Sequence, residues 1–313
     1  MTNTRHILDV DDLTESELET VFSIATELRS TLERGGQTDR RLEDRTLAML
    51  FEKPSTRTRV SFETGMTQLG GHAIFLGPDD TQLDRGEPLR DTARALSRYV
   101  DGIMARVFSH ASIEELATHA TVPVVNGLTD DAHPCQTLAD LLTIRDHVGE
   151  FDDVQAAWVG DGNNVAQSFA IGSAMTGIDL AIATPAGYEV DETVLDRAAD
   201  RGSRPTVTTD PVEAVADADV VYTDVWVSMG QETERDVKLQ SFDGFQVNDD
   251  LLSHAPDAVV MHCLPAHRGE EITDAVIESE RAIVWDQAEN RLHAQKGLLA
   301  FLLDADGRRT VEL

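Results

Sequence analysis

Cysteine, lysine and long apolar runs are scarce in this chain of 313 residues. Its two cysteines, Cys135 and Cys263, are too few for a disulfide framework, so we interpret both as reduced thiols. No apolar run approaches the roughly 18 residues that a membrane-spanning helix needs, and segment 1–12 lacks the apolar core of a signal peptide. We therefore expect a cytoplasmic protein with no membrane partner and no metal site.

Positive charge is also in short supply. The chain has 26 Lys and Arg against 57 Asp and Glu, a formal net charge of −31, and lysine occurs only at Lys53, Lys238 and Lys296. Such a charge repels phosphate backbones, which argues against nucleic acid as a partner. Self-repulsion destabilises a compact chain in dilute buffer, but the screening length falls to about 3 Å at about 1 M salt. We infer a halophilic host; the alternative is an ordinary acidic surface kept for solubility.

The pattern of the chain predicts an α/β fold with two domains, each a parallel sheet flanked by helices, and an active site in the interdomain cleft. We expect a first domain over 1–147, with the C-terminal helix 287–313 packing back on it, and a second over 148–286. Thr14 and Glu17 have the spacing of a capping box for a helix within 13–34, and a further helix over 138–148 would join the domains. The predicted strands are 46–51, 73–76, 102–106, 122–125, 155–159, 180–183, 205–208, 220–222, 259–262 and 282–284.

A candidate anion site follows the first predicted strand. Segment 51–59 reads FEKPSTRTR, in which Pro54 ends the strand and three hydroxyl side chains precede a predicted helix. The N-terminus of a helix offers unpaired N–H donors and the positive end of its dipole. Arg57 adds a planar fork that binds phosphate through two hydrogen bonds. The alternative is a Ser- and Thr-rich helix cap with solvated arginines.

Three further polar motifs stand at or near predicted element ends. Segment 133–136 (HPCQ) offers an imidazole and an amide to a small planar group, although a lone histidine is more often structural. Segment 224–230 (DVWVSMG) leads into a polar stretch typical of a mobile lid, or of a solvated insertion. In segment 261–265 (MHCLP), Cys263 is either a small buried apolar group or a polar contact to substrate.

Together these motifs resemble the ornithine carbamoyltransferases of the aspartate and ornithine carbamoyltransferase family, and the resemblance covers essentially the whole chain. It extends to Gln82, to segment 87–94 (EPLRDTAR), to Arg106, and to segments 160–164 (GDGNN) and 288–291 (AENR). Aspartate carbamoyltransferases share the Ser-Thr-Arg-Thr motif but lack the cysteine and the Ser-Met-Gly loop. The resemblance therefore favours ornithine as acceptor over aspartate, N-acetylornithine and putrescine.

The resemblance implies two substrates, with carbamoyl phosphate bound by the domain over 1–147 and ornithine by the domain over 148–286. It also implies no cofactor, and a homotrimer or larger assembly whose site is shared between subunits. It implies that carbamoyl phosphate is bound by Ser55, Thr56, Arg57, Thr58, Gln82 of a neighbouring subunit, Arg106, His133, Gln136, Cys263, Leu264 and Arg291. Ornithine would be held by Asn164, Asp224, Ser228 and Met229. The implied catalytic residues are Arg106, His133, Asp224 and Cys263. The product would be citrulline, in arginine metabolism, with the biosynthetic or degradative direction left open.

Two other classes of function compete with this interpretation. Segment 160–165 (GDGNNV) partly matches the dinucleotide-binding fingerprint, but Val165 stands where that fingerprint requires Gly or Ala. A non-catalytic scaffold of the same fold is the other alternative, and it is disfavoured because every motif keeps its polar side chains. A spectral change on adding NADH would support the first alternative, and inactivity with both substrates at high salt would support the second.

The net charge predicts a requirement for salt. We expect dialysis from molar salt into dilute buffer to unfold or inactivate the protein, because unscreened carboxylates then repel one another. Circular dichroism and activity, measured before and after dialysis, test this expectation. Retention of both fold and activity in dilute buffer would contradict it.

Overall fold

The computed structural model describes residues 4–35, 40–81, 86–227, 233 and 235–304. They form two compact α/β units, the first comprising Met1–Ala139 with Arg291–Leu313 and the second Asp140–Asn290. Both contain a parallel sheet flanked by helices, so the predicted fold class is confirmed. The assignment of one substrate to 1–147 and the other to 148–286 stays a prediction. Within the described residues, no helix has the length and apolar character needed to cross a membrane.

The first unit contains a four-stranded parallel sheet of order β2-β1-β3-β4. Its strands are β1 (Thr46–Phe51), β2 (His72–Leu76), β3 (Gly102–Arg106) and β4 (Val124–Leu128). Its helices are α1 (Glu15–Glu33), α2 (Thr56–Gln68), α3 (Leu89–Leu96), α4 (His110–His119), the beginning of α5 (Pro134–His147) and the end of α12 (Val284–Leu303), with short 3-10 helices at Val10–Asp12 and Pro78–Asp80.

The second unit contains a five-stranded parallel sheet of order β7-β6-β5-β8-β9. Its strands are β5 (Gln155–Val159), β6 (Asp179–Ala183), β7 (Thr206–Thr208), β8 (Val220–Thr223) and β9 (Val259–His262). Besides the remaining parts of α5 and α12, its helices are α6 (Asn164–Thr176), α7 (Glu192–Arg201), α8 (Pro211–Val215), α9 (Arg235–Ser241), α10 (Asp249–Leu252) and α11 (Asp274–Ile277).

Burial explains why the central strands read as nearly continuous apolar runs. Every residue of β3 is buried, as is every residue of β1 after Thr46, because helices cover both faces of a parallel sheet. In the second unit the fully buried rings of Trp158 on β5 and Tyr222 on β8 meet edge to face, with centroids 4.8 Å apart. Both sheets are therefore packed cores that hold the ends of their strands in fixed positions.

Most predicted elements are present, and two predictions need correction. Thr14 and Glu17 form the expected capping box at the start of α1. The strand predicted at 122–125 runs instead from Val124 to Leu128. It begins after Pro123, which has no N–H to donate to the ladder, and it continues through Asn126 and Gly127, two residue types that are rare in strands. The strand predicted at 282–284 is wrong: only an isolated bridge joins Ala282 to Val260, and α12 begins at Val284.

In each sheet the chain adds strands first on one side of its first strand and then on the other. At the boundary between these two sides, the connections that follow the two neighbouring strands leave toward opposite faces of the sheet. This point lies between β1 and β3 in the first unit and between β5 and β8 in the second. Open α/β sheets bind ligands just beyond the carboxyl ends of the strands at such points. The segments that begin there are 52–58, 106–108, 160–164 and 224–227, which contain seven of the fifteen predicted site residues.

Gly162, in the turn after β5, is required by close packing. Its N–H donates to the Tyr188 carbonyl at 2.9 Å, and a Cβ at this position would come within 2.5 Å of the backbone of Glu189 and Val190. Backbone atoms cannot rotate away from such a contact. The glycine is thus explained by the neighbouring loop, without a dinucleotide.

Gly162→Ala should lower the free energy of unfolding by about 1–3 kcal/mol or more, because the added methyl group forces two backbone segments apart. Gly65→Ala in α2 is the matched control, since its Cβ would meet only side-chain atoms of Lys296 and Leu292 at 3.3 and 3.7 Å. Denaturant unfolding at molar salt measures both changes. Equal stability of the two variants would contradict the packing argument.

Candidate active site

The first unit places a helix N-terminus at the end of β1. Ser55 caps α2: its Oγ accepts from the Thr58 N–H at 3.2 Å and donates to the Thr58 Oγ1 at 3.0 Å. Thr56 and Arg57 are exposed in the first turn, whereas Thr58 is buried. The cap leaves the other N–H groups of the first turn available to an anion, beside a guanidinium. The structure thus has a capped helix N-terminus where the sequence predicts an anion site, and the binding of an anion there stays a prediction.

A buried cluster of arginines and amide-bearing side chains belongs to the same unit. Arg106, the last residue of β3, is 6% exposed, and Arg291, on α12, is 5% exposed. The Arg291 guanidinium donates to the Gln136 Oε1 and lies 3.5 Å from both the His133 Nε2 and the Thr58 Oγ1. Residues from α2, α5 and α12 therefore meet around one positive charge. The structure thus brings together four of the residues predicted from separate motifs.

Burial, together with the positive charges nearby, determines the protonation state of His133. Burial lowers the pKa of His133 well below its usual value, and the charges of Arg291 and Arg106 lower the pKa further. The imidazole is consequently neutral at pH 7 and offers a single N–H donor. A neutral donor beside two guanidinium groups suits a ligand whose oxygen atoms carry or develop negative charge.

Cys135, in the same motif, is structural. Its Sγ donates to the Asn126 carbonyl at 3.4 Å, and burial raises the pKa of its thiol to about 12. A thiol that does not ionise near neutrality is not a nucleophile. The motif therefore contributes His133 and Gln136 to the buried cluster around Arg291, whereas Cys135 serves packing.

The second unit places a buried carboxylate at the end of β8. Asp224 is 6% exposed; its Oδ1 accepts from the Cys263 Sγ at 2.9 Å and its Oδ2 from the Asn163 Nδ2 at 2.8 Å. Asn163 also caps α6 through its Oδ1, and Asn164 follows as the first, partly buried residue of that helix. Segments that follow three strands thus converge on one carboxylate. A buried negative charge with neutral partners can receive a cationic amine.

The turn after β9 holds Cys263 and Leu264 in an unusual conformation. Leu264 has a φ of 59°, in the left-handed region, and precedes a cis peptide bond to Pro265. Its N–H donates to the His262 Nδ1 at 2.9 Å, so the hydrogen of this imidazole lies on Nε2, which donates to the Glu271 Oε1 at 2.9 Å. Both His262 and Glu271 are fully buried. They fix the backbone from which Cys263 reaches Asp224.

Several contributing residues were not predicted. Asn163 lies in the segment 160–164 (GDGNN), and its position before an apolar helical run indicates a helix N-cap. Lys53 is 5% exposed, pairs with Asp130 and lies 4.3 Å from the Phe108 ring centroid, which fixes the turn after β1; no local pattern indicates this. The predicted residues Gln82, Ser228 and Met229 lie outside the described residues.

Two groups of side chains within the described residues have a composition that metals accept. They are Asp224 with His262 and Cys263, and His267 with Glu270 and Glu271, and within each group the potential ligand atoms lie within 4.8 Å of one another. In the first group both ring nitrogens of His262 and one oxygen of Asp224 already have hydrogen-bond partners. This arrangement explains the first group without an ion.

Comparison with known proteins agrees with this geometry. Residues 5–146 match the model of the aspartate/ornithine carbamoyltransferase carbamoyl-P binding domain, and residues 152–302 match that of the Asp/Orn binding domain. The chain therefore belongs to the aspartate/ornithine carbamoyltransferase family.

Several similar proteins within that family are named ornithine carbamoyltransferase. The Haloquadratum walsbyi protein is 63% identical over 97% of this chain and 99% of its own length, and the Methanoculleus marisnigri protein is 54% identical over 98% and 99%. The solved structure of the Pyrococcus furiosus ornithine carbamoyltransferase is 54% identical and superposes with a TM-score of 0.92, covering 96% of this chain and 97% of that one.

The lowered pKa of His133 predicts a pH dependence of stability. Between its folded pKa and its unfolded value near 6.5, the unfolded chain binds more protons, so the free energy of unfolding falls as the pH falls through this window. The loss approaches about 1.36 kcal/mol per pH unit. His133→Gln should remove this part of the slope, as measured by denaturant unfolding from pH 7.5 to 5.

Replacement of the exposed His72 by Gln is the matched control for the loss of one imidazole. Both variants and the parent chain are compared at the same molar salt. Parallel pH slopes for the parent chain and His133→Gln would show that the buried imidazole does not lower stability in acid.

Proposed function

We propose that the chain transfers the carbamoyl group of carbamoyl phosphate to the δ-amine of L-ornithine, giving L-citrulline and phosphate. The observation that carries this proposal is the hydrogen bond of 2.9 Å between the Cys263 thiol and the buried Asp224 carboxylate. It provides a negative site for an amine, built on the cysteine by which the sequence resembles the ornithine enzymes. The names of the similar proteins support the same acceptor.

Carbamoyl phosphate binds mainly to the positive side chains of the first unit in this proposal. The N-terminus of α2, Ser55, Thr56 and Arg57 hold the phosphate, because capped N–H groups and a guanidinium fork both bind its oxygens. Thr58, Arg106, His133, Gln136 and Arg291 hold the carbamoyl group. Cys263 and Leu264 complete the predicted donor set, together with Gln82 from a neighbouring subunit.

The acceptor amine must lose a proton before it attacks. An amine of the lysine type has a pKa of about 10.4, so its deprotonation at pH 7 costs roughly 4–5 kcal/mol. Asp224 and Cys263 orient the amine and help it to lose its proton, with Asn164, Ser228 and Met229 holding the rest of ornithine. Cys263 acts through hydrogen bonds and forms no covalent bond to the substrate.

The transferred carbon passes through a tetrahedral intermediate. As the nitrogen–carbon bond forms, negative charge develops on the former carbonyl oxygen, and Thr58, Arg106 and the neutral His133 stabilise it. Collapse of the intermediate breaks the bond between carbon and the phosphate oxygen, and the leaving phosphate takes up the second proton, which the attacking nitrogen loses. Arg57 and the N–H groups of α2 receive the leaving phosphate, whose charge they already bind.

The finer features of the proposal concern the setting of the enzyme. We infer a cytoplasmic homotrimer or larger assembly, with Gln82 completing a neighbouring site, that serves arginine metabolism in a halophilic host. The net charge of −31 supports the salt adaptation. Sedimentation at molar salt measures the assembly, and a monomer with full activity would contradict the shared site.

The acceptor is tested by measuring carbamoyl transfer in parallel with ornithine, N-acetylornithine, putrescine and aspartate, each at molar and at low salt. We expect product with ornithine alone and the fastest turnover at molar salt. Preference for another acceptor would keep the donor site and overturn the assignment of ornithine. No turnover with any acceptor would favour a non-catalytic scaffold.

Cys263→Ser should raise the KM for ornithine and lower kcat, with a smaller effect on carbamoyl phosphate binding, because a hydroxyl is a shorter and weaker acid partner for Asp224 whereas the donor keeps the arginines of the first unit. Arg57→Gly is the reciprocal variant and should weaken carbamoyl phosphate binding. Initial rates with each substrate varied, and calorimetric titration with carbamoyl phosphate, separate the two effects. Unchanged ornithine kinetics in Cys263→Ser would remove the thiol from the mechanism, and intact donor affinity in Arg57→Gly would do the same for that arginine.

A further inference from the structure

Lys238 forms a buried ion pair with Asp161, close enough to the Asp224 carboxylate for the two carboxylates to affect each other. It lies on α9 and is 3% exposed; its Nζ donates to the Asp161 Oδ2 at 2.5 Å and to the Trp226 carbonyl at 3.0 Å. The ammonium also lies 5.2 Å from the centroid of the Tyr188 ring. Removing a lysine ammonium from water is costly, so its position depends on these partners.

Asp161 occupies the turn that follows β5, next to the residues that hold Asp224. Its backbone carbonyl accepts from the Trp158 Nε1 at 3.0 Å, which ties the turn to its strand. The pKa of the Asp161 carboxyl is raised above its usual value, mainly by burial. The hydrogen bond and charge of Lys238 oppose this rise, and the charge of Asp224 adds to it. Two carboxylates therefore repel each other across this turn, and one ammonium offsets the repulsion.

The two partners of Lys238 belong to the two segments that define the position of Asp224. Trp226 is two residues beyond Asp224, and its indole stacks on Phe242 with centroids 5.3 Å apart. Asp161 is two residues before Asn163, whose amide donates to the Asp224 Oδ2 at 2.8 Å. A single cation thus joins the backbone that follows Asp224 to the turn that holds its side chain.

We propose that Lys238 and Asp161 are positioning residues for the acceptor: the buried pair fixes the Asp224 carboxylate in the orientation that meets the cationic substrate. This inference rests on the proposed function and names residues that neither the motifs nor the family resemblance assigns to the site. Neither side chain touches the reacting atoms in this account. Their effect passes through Trp226 and Asn163 to Asp224.

The test uses variants that keep the net charge of the chain. Lys238→Met/Asp161→Asn removes both charges, so no buried charge is left unpaired. The matched control is Arg45→Met/Asp101→Asn, which removes a partly buried ion pair of 2.8 Å in the first unit, at the opposite ends of its strands from the donor residues. Lys238→Arg keeps the cation and tests rescue. All are assayed for citrulline formation at molar salt, with thermal unfolding recorded for each.

We expect the Lys238→Met/Asp161→Asn variant to fold and to raise the KM for ornithine by about tenfold or more, while the KM for carbamoyl phosphate changes by less than about twofold. The Arg45→Met/Asp101→Asn control should change neither KM, and Lys238→Arg should restore most of the affinity for ornithine. A purely structural role predicts a different pattern, namely a lower unfolding temperature with both KM values unchanged or raised together.

Each outcome bears on a separate claim. An unchanged KM for ornithine in the folded double variant would overturn the inference while leaving the proposed function in place. Absence of citrulline formation by the parent chain would overturn the proposed function and the inference with it. If this double variant does not fold, Lys238→Gln/Asp161→Asn replaces it: this pair also leaves no buried charge unpaired and keeps polar groups at both positions, the KM for ornithine should rise by about threefold or more, and an unchanged value would overturn the inference.

Discussion

Parallel pairing of the strands is the constraint on which both groups of site residues depend. In a parallel sheet every strand ends at the same edge, so residues far apart in sequence meet without long loops. In the first unit this brings the segment after β1 next to Arg106 at the end of β3. In the second it brings the turn after β5 next to Asp224 after β8, and Cys263 after β9. The buried cores of the sheets keep these ends in place.

The two units carry site charges of opposite sign, and this division matches the chemistry of the two substrates. The first unit places Arg57, Arg106 and Arg291 near a capped helix N-terminus, as an acyl phosphate requires. The second places Asp224 among neutral donors, as an amine requires. In a chain with net charge −31, positively charged side chains are few, and two of the arginines are buried in this one unit.

Strand positions, and the polar segments that follow the strands, could be predicted from the sequence, because buried parallel strands are apolar and their ends are polar. The strand over 46–51 leads directly into the motif 51–59, and the strand over 259–262 leads into the motif 261–265. Partners within the site were harder to predict. Lys238 and Asp161 are 77 residues apart, and only the folded sheet brings them together. The false strand at 282–284 arose because a short apolar run does not distinguish one bridge from a ladder.

The central claim is that the positive residues of the first unit and the acidic residues of the second serve one transfer reaction. It is tested most directly by incubating carbamoyl phosphate, labelled with ¹³C at the carbamoyl carbon, with ornithine and the chain at molar salt. The account predicts labelled citrulline and phosphate in equal amounts, and loss of both in Arg57→Gly and in Asp224→Asn. Release of phosphate without labelled citrulline, or full transfer by either variant, would contradict it.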